Sequence, residues 1–303
     1  MFDLIGSYTE TRQRICEDYL NIFFDGIDKR TGEKIIMGEL GNLKIKQNYN
    51  GFSIRGSLAK YYLNNNLETL TRQTTEKAVE KIADELRIKV SNSRLFKVDI
   101  ATNFIMKEDI KKYQACLGDL KYMTKSVINE SVYYSNSKRQ IVFYDKLREM
   151  SRKGVIIPKE FKQFKGRLLR YEVRFKKRLK NEFKRILTLS DLYDEDFYIM
   201  ILDKWKETYF QINKINQINY NKVENLTSKQ AFDLIFSKLI IEKGLDSVLS
   251  DIDLLKDKFK SGVETSRCKR QIKELISKKK YTESNELIQE LDNKVRQAVA
   301  NYR

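Results

Sequence analysis

Histidine is absent from this chain of 303 residues. Its absence excludes a histidine-ligated zinc site, a Ser-His-Asp or Cys-His catalytic pair, and a histidine general base. The three cysteines, Cys16, Cys116 and Cys268, lie far apart without a Cys-x-x-Cys spacing. We therefore expect reduced, buried thiols, and a metal site in this chain would have to use oxygen ligands.

Proline and long apolar runs are also scarce. Proline occurs once, at Pro158, and no glycine- or serine-rich linker divides the chain. No apolar stretch is long enough to span a membrane. The first eight residues, which include Asp3, lack the apolar run of a signal peptide. We therefore expect a cytoplasmic protein without a membrane partner.

Basic residues outnumber acidic ones by 59 to 42, which gives a formal net charge of +17. Such an excess is typical of proteins with a polyanionic partner, most often nucleic acid. It is concentrated in residues 161–190, where eleven lysines and arginines accompany only Glu172 and Glu182. This segment is either a solvated helix face or a contact for a phosphate backbone. Its position after a predicted strand favours the phosphate contact.

Three short segments with strand character carry charged or phenolic side chains on one face. They are residues 96–101, 141–146 and 169–175. Because strand side chains alternate between two faces, we expect Phe96, Val98 and Ile100 to point away from the polar set. That set comprises Lys97 and Asp99, Tyr144 and Lys146, and Arg170, Glu172 and Arg174.

Pairing of these strands in one sheet would bring carboxylates, cations and a tyrosine to one surface. Such a set can bind a divalent metal and attack a phosphate. A purely structural interpretation stays open for each residue. Tyr144 is then a half-buried strand tyrosine, and Asp99 and Glu172 pair with neighbouring cations across the sheet. Arg170 and Arg174 could equally well clamp a phosphate or pair with Glu172.

The pattern of the first seventy residues favours strands, at 18–24, 34–37, 43–46 and 51–58. A further hairpin is expected at 131–134 and 140–146. Helices are predicted at 74–86, 107–117, 176–187 and 192–215, and we expect Trp205 in the last one to anchor the core.

From about residue 225 the pattern becomes helical, with helices predicted at 227–243, 245–259, 266–280 and 282–302. In the first of these an apolar stripe is expected to be buried: Phe232, Ile235, Phe236, Leu239 and Ile240. The predicted fold class is α+β, an antiparallel sheet with helices packed on one face, followed by an all-helical C-terminal region. We predict a catalytic domain at 1–220. Residues 221–303 are a DNA-binding or dimerising module, or a bundle that packs on the sheet.

Several motifs occur in a characteristic order between residues 51 and 215. They are 54–62 (IRGSLAKYY), 98–104 (VDIATNF), 134–136 (YSN), 144–146 (YDK) and 169–174 (LRYEVR), with Trp205 downstream. In order and spacing they resemble the filamentous-phage gene II/X replication initiator family, especially its phage and plasmid members from Bacteroides-like bacteria. Lys97 departs from the family pattern, which often has arginine there, although either residue supplies a cation.

The resemblance implies an enzyme that starts rolling-circle replication. Such an enzyme nicks one DNA strand at an origin, attaches to the 5′ end through a tyrosine, and can rejoin the strand. It implies Tyr144 as nucleophile and Lys146 as the cation that favours its phenolate. With histidine absent, Asp99, Glu172 and Glu149 would form an all-oxygen site for Mg²⁺ or Mn²⁺.

DNA contacts are predicted for the basic residues near these motifs: Arg170, Arg174, Lys97, Lys176, Lys177, Arg178, Arg55 and Lys60. Tyr61 and Tyr62 are either a stacking surface for single-stranded DNA or strand-end packing. Other tyrosines could replace Tyr144 as the nucleophile: Tyr133, Tyr134, Tyr193 and Tyr198.

The expected partners are single-stranded or supercoiled origin DNA and host replication proteins such as helicase and polymerase, in the cytoplasm of a bacterial host. A homodimer is one role open to the C-terminal helices. Two other functions fit the same residues. One is a plasmid mobilisation relaxase with the same chemistry. The other is a non-catalytic origin-binding protein, which needs neither metal nor tyrosine.

Overall fold

The computed structural model of the protein describes residues 1–29, 31–175, 179–215, 217–218, 225–277, 282–283 and 285–302. Ten strands form one antiparallel sheet: β1 (Phe2–Glu10), β2 (Asn21–Ile27), β3 (Lys34–Leu40), β4 (Leu43–Asn48), β5 (Gly51–Ser57), β6 (Arg94–Ile105), β7 (Thr124–Ile128), β8 (Ser131–Ser135), β9 (Arg139–Asp145) and β10 (Leu168–Phe175). Their order across the sheet is β2-β3-β4-β5-β1-β6-β10-β9-β8-β7.

The helices are α1 (Leu58–Leu63), α2 (Arg72–Leu86), α3 (Ile110–Ala115), α4 (Lys146–Arg152), α5 (Leu179–Phe183), α6 (Glu195–Phe210), α7 (Ser228–Lys243), α8 (Leu245–Leu254), α9 (Gly262–Ser277) and α10 (Glu286–Tyr302). Short 3-10 helices lie at Lys159–Phe164, Ser190–Leu192 and Lys256–Lys258. Two further strands, β11 (Gln217–Ile218) and β12 (Thr282–Glu283), pair with each other.

The main core lies between one face of the sheet and helices α2, α6 and α10. Trp205 of α6 is fully buried there, as predicted. Its backbone carbonyl accepts a hydrogen bond of 2.9 Å from Tyr171 Oη. The ring of Tyr171 stacks on Phe143 with centroids 4.7 Å apart, a geometry that adds to the burial of both rings. The predicted α+β class, with helices packed on one face of an antiparallel sheet, is confirmed.

Strand β1 lies in the middle of the sheet, between β5 and β6, and the sequence did not predict it. Its pairing with β6 contains two irregularities. Phe2 and Ile5 both point into the core although they are three residues apart, because a bulge adds one residue between them. The bulge breaks the alternation of polar and apolar residues by which a strand is recognised.

The second irregularity changes the position of Phe96. The register shifts so that Gly6 is opposite Lys97 while Ser7 is opposite Leu95. Phe96 is the extra residue of this bulge, and its ring lies beside Gly6 and the Arg55 guanidinium. The prediction that Phe96 points away from the polar face, with Val98, was therefore wrong.

Helix boundaries differ from the predictions at several places. Lys146 is the first residue of α4 rather than the last residue of a strand, because Asp145 caps this helix through Arg148 N. The basic helix predicted at 176–187 is described only as the single turn of α5. Residues 176–178 lie outside the described part of the chain.

Helix α7 does not bury the predicted stripe. Phe232 is 76% exposed, Ile235 and Leu239 are also exposed, and only Ile240 is deeply buried. Apolar residues occur on more than one side of this helix, so periodicity alone did not identify the packed side. Helices α7 to α9 enclose a small separate core around Ile240, Leu245 and Ile272.

Helix α10 packs against α6 and belongs to the main core, through Leu291, Val295, Ala298 and Val299. The boundary predicted between residues 220 and 221 falls within 219–224, which are not described. Of the three thiols only Cys116 is buried, and all three are free. Over the described residues, no helix is both long and apolar enough to cross a membrane.

Candidate active site

The polar residues of β6, β9 and β10 lie side by side on the sheet face opposite the main core. The register places Arg174 beside Asp99 and Arg170 beside Tyr144. With the first turn of α4 they border a cavity of about 1320 Å³, here called the pocket. It brings together residues selected from three separate segments of the sequence: Lys97, Asp99, Tyr144, Lys146, Glu149, Glu172 and Arg174.

Glu172 is the centre of this arrangement. Its Oε1 accepts a hydrogen bond of 2.8 Å from Arg174 Nε, and its Oε2 accepts one of 3.2 Å from Arg174 Nη2. Arg170 Nε lies 3.6 Å from the same Oε2. Tyr144 Oη donates to Oε2 at 3.3 Å. A buried carboxylate thus holds the candidate nucleophile and is itself held by two guanidinium groups.

The phenol of Tyr144 is protonated in this environment. Burial raises its pKa well above the usual value of a tyrosine, and the negative charge of Glu172 raises it further, whereas Arg170 lowers it. Deprotonation therefore has to be coupled to attack on a substrate. Glu172 is placed to accept the proton, because the hydroxyl already points at it.

Arg170 is 2% exposed and binds groups inside the protein. It forms an ion pair with Asp3 of β1 and donates to Asn66 O at 3.0 Å and to Asn103 Oδ1 at 3.2 Å. Burial opposes the charge of Arg170, but the pair with Asp3 raises its pKa above the usual value. The Arg170 cation is thus held in place and fixes the position of the neighbouring Glu172.

Sequence reasoning missed Asp3 as a site residue. Ser57 Oγ donates to Asp3 Oδ1 at 2.6 Å, and Asn66 Nδ2 lies 3.5 Å from the same oxygen. Burial alone would raise the pKa of Asp3, but Arg170 and the Ser57 hydrogen bond hold it below its usual value. The available signal was an acid within an apolar N-terminal segment, and the bulge in β1 concealed it.

Lys146 and Glu149 meet on the first turn of α4. Lys146 Nζ lies 2.8 Å from Glu149 Oε2, and Lys153 also pairs with Glu149. Burial and the nearby Arg170 lower the pKa of Lys146 to about 8. Burial alone would raise the pKa of Glu149, but Lys146 and Lys153 hold it below its usual value.

Asp99 is a deeply buried carboxylate of the pocket, and one of its oxygens lacks a hydrogen-bond partner among the described residues. It is 2% exposed, and the oxygen in question is Oδ1. Lys97 Nζ lies 3.5 Å from its Oδ2. Burial and the charge of Glu172 raise the pKa of Asp99 to about 7. A buried oxygen of this kind is suited to a hard cation.

The residues fit a divalent metal only in part. Asp99 with its neighbour Glu172 offers two carboxylates of the type that Mg²⁺ and Mn²⁺ prefer. Glu149 is occupied by two lysines on α4. In the described part of the chain, no three acidic or thiol side chains lie close enough together to hold a metal ion. The structure therefore does not assemble the predicted set of three.

The predicted DNA contacts fall into distinct positions. Arg170 is buried behind the pocket. Arg174 and Lys97 are partly exposed, at 31% and 37% of their side chains, and border the pocket opening. Three predicted contacts lie outside the described residues: Lys176, Lys177 and Arg178.

Two further predicted DNA contacts, with the tyrosines near them, lie on β5 and α1. Lys60 borders the pocket, and Arg55 is exposed on β5. Tyr61 is buried and its hydroxyl donates to Glu85. Tyr62 packs half-buried against the main core. The packing interpretation therefore applies to both tyrosines.

The alternative tyrosines are less well placed than Tyr144, with one exception. Tyr134 and Tyr198 belong to the main core, and Tyr193 packs against it. Tyr133 borders the same pocket as Tyr144, on the neighbouring strand β8. It is the matched tyrosine against which a role for Tyr144 can be tested.

Comparison with known proteins identifies the family. A family model that describes the N-terminal part of the phage replication-associated gene II protein matches residues 20–207. No curated protein matches the chain. The matched range contains the pocket residues of β6, β9, β10 and α4, whereas β1 and helices α7 to α10 lie outside it. The match covers more than half of the chain, which therefore belongs to the family of replication-associated gene II proteins, the filamentous-phage gene II-like replication initiators.

Proposed function

We propose that the protein nicks and rejoins one DNA strand at a replication origin, through a covalent link between Tyr144 and the 5′ phosphate. The observation that carries the proposal is the hydrogen bond from Tyr144 Oη to Glu172 Oε2, in a pocket bordered by cations. Because the chain belongs to a family of replication initiators, we infer that the substrate of this site is DNA. The function requires origin DNA and, in the cytoplasm of a bacterial host, a helicase and a polymerase.

The nicking step needs one nucleophile, one base and one acid. Tyr144 Oη attacks the phosphorus and passes its proton to Glu172. The bond from phosphorus to the 3′ oxygen breaks as the bond to Tyr144 forms. The leaving 3′ oxygen takes a proton from Lys146, whose pKa of about 8 leaves it protonated at neutral pH yet ready to give up the proton. Rejoining is the reverse sequence.

The remaining cations have different tasks. Arg174 and Lys97 are close enough to the pocket opening to neutralise the charge that develops on the phosphate. Arg170 is a positioning residue, because it contacts Asp3 and Glu172. Asp99 and Glu172 would hold Mg²⁺ or Mn²⁺. The bound ion would supply positive charge to the phosphate oxygens.

The test compares Tyr144→Phe with Tyr133→Phe, which removes a hydroxyl from the same pocket. Supercoiled plasmid carrying the gene and its flanks is incubated with protein and Mg²⁺ or Mn²⁺, and the reaction is stopped with detergent. We expect wild type and Tyr133→Phe to give relaxed circles with protein on the 5′ end. Tyr144→Phe should give no adduct, because a phenyl ring has no oxygen to attack with.

Each other outcome has a defined meaning. An adduct that persists in Tyr144→Phe and vanishes in Tyr133→Phe would move the nucleophile to β8. An absence of nicking by every protein, despite tight binding, would favour a non-catalytic origin-binding protein. A plasmid with the origin but no conjugation genes separates the initiator from a mobilisation relaxase, since only the initiator replicates it.

A further inference from the structure

A second surface adjoins the pocket on the same face of the sheet. It extends over β4, β5, β1 and β6, where the register joins Lys44 to Arg55, Arg55 to Gly6, and Gly6 to Lys97. Residues paired in this way share a face. Four strands at the usual spacing span about 14 Å. Lys97 also contacts Asp99, so the surface is continuous with the pocket.

Apart from Lys97, which pairs with Asp99, the cations of this surface have no acidic partner among the residues that the structure describes. Lys44, Lys46, Arg55 and Arg94 are all exposed, and within the described residues none of them forms an ion pair. Glu39 is the acid nearest in register to Lys44, without a salt bridge between them. Unpaired positive charge collected on one sheet face attracts a polyanion.

An aromatic ring lies among these cations. The bulge in β6 turns Phe96 onto this face, where it occupies the space above Gly6. A side chain at position 6 would clash with the ring. The Arg55 guanidinium lies over one face of the ring, 4.9 Å from its centroid. Phe96 remains partly exposed, although its neighbours Leu95 and Val98 belong to the main core.

We propose that this surface, the basic face, binds single-stranded DNA next to the strand that enters the pocket. It is defined by Lys44, Lys46, Arg55, Arg94 and Phe96. The cations contact successive phosphates, and one unpaired base stacks on the face of Phe96 that Arg55 does not cover. A duplex presents no free base face to the ring, so the surface selects single strands. The inference rests on the proposed function for the origin of the DNA.

Binding is measured with a labelled thymidine dodecamer and with a matched duplex, in EDTA so that no nicking takes place. Phe96→Ala should weaken binding of the single strand about 5- to 100-fold, as expected for the loss of one stacked base. It should change duplex binding less than twofold. Gly6→Ala should act in the same direction, because its methyl group displaces the ring.

Arg55→Gln is compared with Lys77→Gln, which removes one charge from an exposed position on α2. We expect only Arg55→Gln to weaken binding of the single strand. Circular dichroism confirms that each variant is folded. Wild-type affinity in both Phe96→Ala and Arg55→Gln would overturn the proposal. Equal losses for single strand and duplex would overturn the single-strand selectivity.

The two proposals fail separately. If Tyr144→Phe still forms the adduct while Phe96→Ala binds the single strand more weakly, the basic face is supported and the assignment of Tyr144 as nucleophile is wrong. If Tyr144→Phe abolishes the adduct and Phe96→Ala binds like wild type, the chemistry stands and the basic face is wrong.

Discussion

The sheet face opposite the main core, here called the open face, has two halves. They differ in whether their cations are paired with carboxylates. In the pocket half, four cations each have a carboxylate partner: Arg170 with Asp3, Arg174 with Glu172, Lys146 with Glu149, and Lys97 with Asp99. On the basic face, Lys44, Lys46, Arg55 and Arg94 have none among the described residues. The halves adjoin at Lys97. The difference indicates that one half is built to hold a geometry and the other to attract a polyanion.

Burial explains the difference. Arg170, Glu172 and Asp99 are almost completely buried. A buried ion needs a partner, since removal of its hydration is unfavourable by several kcal/mol. Paired and buried side chains lose their freedom to move, which suits groups that must act on one phosphorus atom. An exposed lysine keeps its hydration and can exchange water for phosphate.

The largest effect is expected when one cation is removed from each half. Arg170→Met leaves Asp3 and Glu172 buried without their shared partner. The free energy of unfolding should fall by about 3–5 kcal/mol. Arg55→Met, on the exposed face, should change it by less than about 0.5 kcal/mol. Urea unfolding followed by circular dichroism measures both.

Asp3→Asn provides the control for this effect. Added to Arg170→Met, it removes the charge of Asp3, which has lost its ion-pair partner, whereas Glu172 still pairs with Arg174. It should therefore recover part of the lost stability. Equal and small effects at Arg170 and Arg55 would show that the pocket charges are not buried in solution, and the distinction between the halves would be lost.

Sequence alone could predict the half of the site in which side chains alternate regularly. In strand β10 apolar and charged residues alternate without a break from Leu169 to Phe175, and its polar set was found for that reason. Asp3 and Phe96 could not be placed, because each lies at a bulge, where one extra residue reverses the alternation. Both bulges lie between β1 and β6, where the two halves of the open face meet.

Secondary structure was predictable where a local rule decided it. Helix α2 begins at a capping box formed by Thr71 and Thr74, and its predicted bounds were nearly correct. Helix α7 has an equally clear start at Thr227. However, the side of α7 that is buried is decided by its contacts with α8 and α9. The periodicity of the α7 sequence does not reveal these contacts.

Asp99→Asn tests the burial of the pocket charges through the pH dependence of stability. An aspartate in the unfolded chain has a pKa near 3.9, and in the folded protein burial and Glu172 raise the pKa of Asp99 to about 7. Ionisation is therefore harder in the folded state, and the contribution of Asp99 to the stability of wild type falls as the pH rises from about 4 to about 7. Asp99→Asn does not titrate. In EDTA, its stability relative to wild type should increase by about 2–3 kcal/mol between pH 5 and pH 8.

Urea unfolding at the two pH values checks this result, and Mg²⁺ adds a second arm. If Asp99 holds the ion, millimolar Mg²⁺ at pH 8 should raise the stability of wild type but not that of Asp99→Asn. A constant difference between the two proteins across the pH range would mean that Asp99 is solvated, and the pocket would then resemble the basic face.

The smallest effect concerns the salt dependence of DNA binding. Each phosphate contact on a single strand contributes about 0.7 to the slope of log K against log salt concentration. The double variant Lys44→Gln, Lys46→Gln should therefore lower the slope by about 1.4. Lys153→Gln removes a cation already paired with Glu149 and should leave the slope unchanged. Titrations of the labelled dodecamer at several salt concentrations measure it. Equal slopes in both variants would mean that pairing within the protein does not decide which cations meet the DNA. The two halves of the open face would then differ in stability alone.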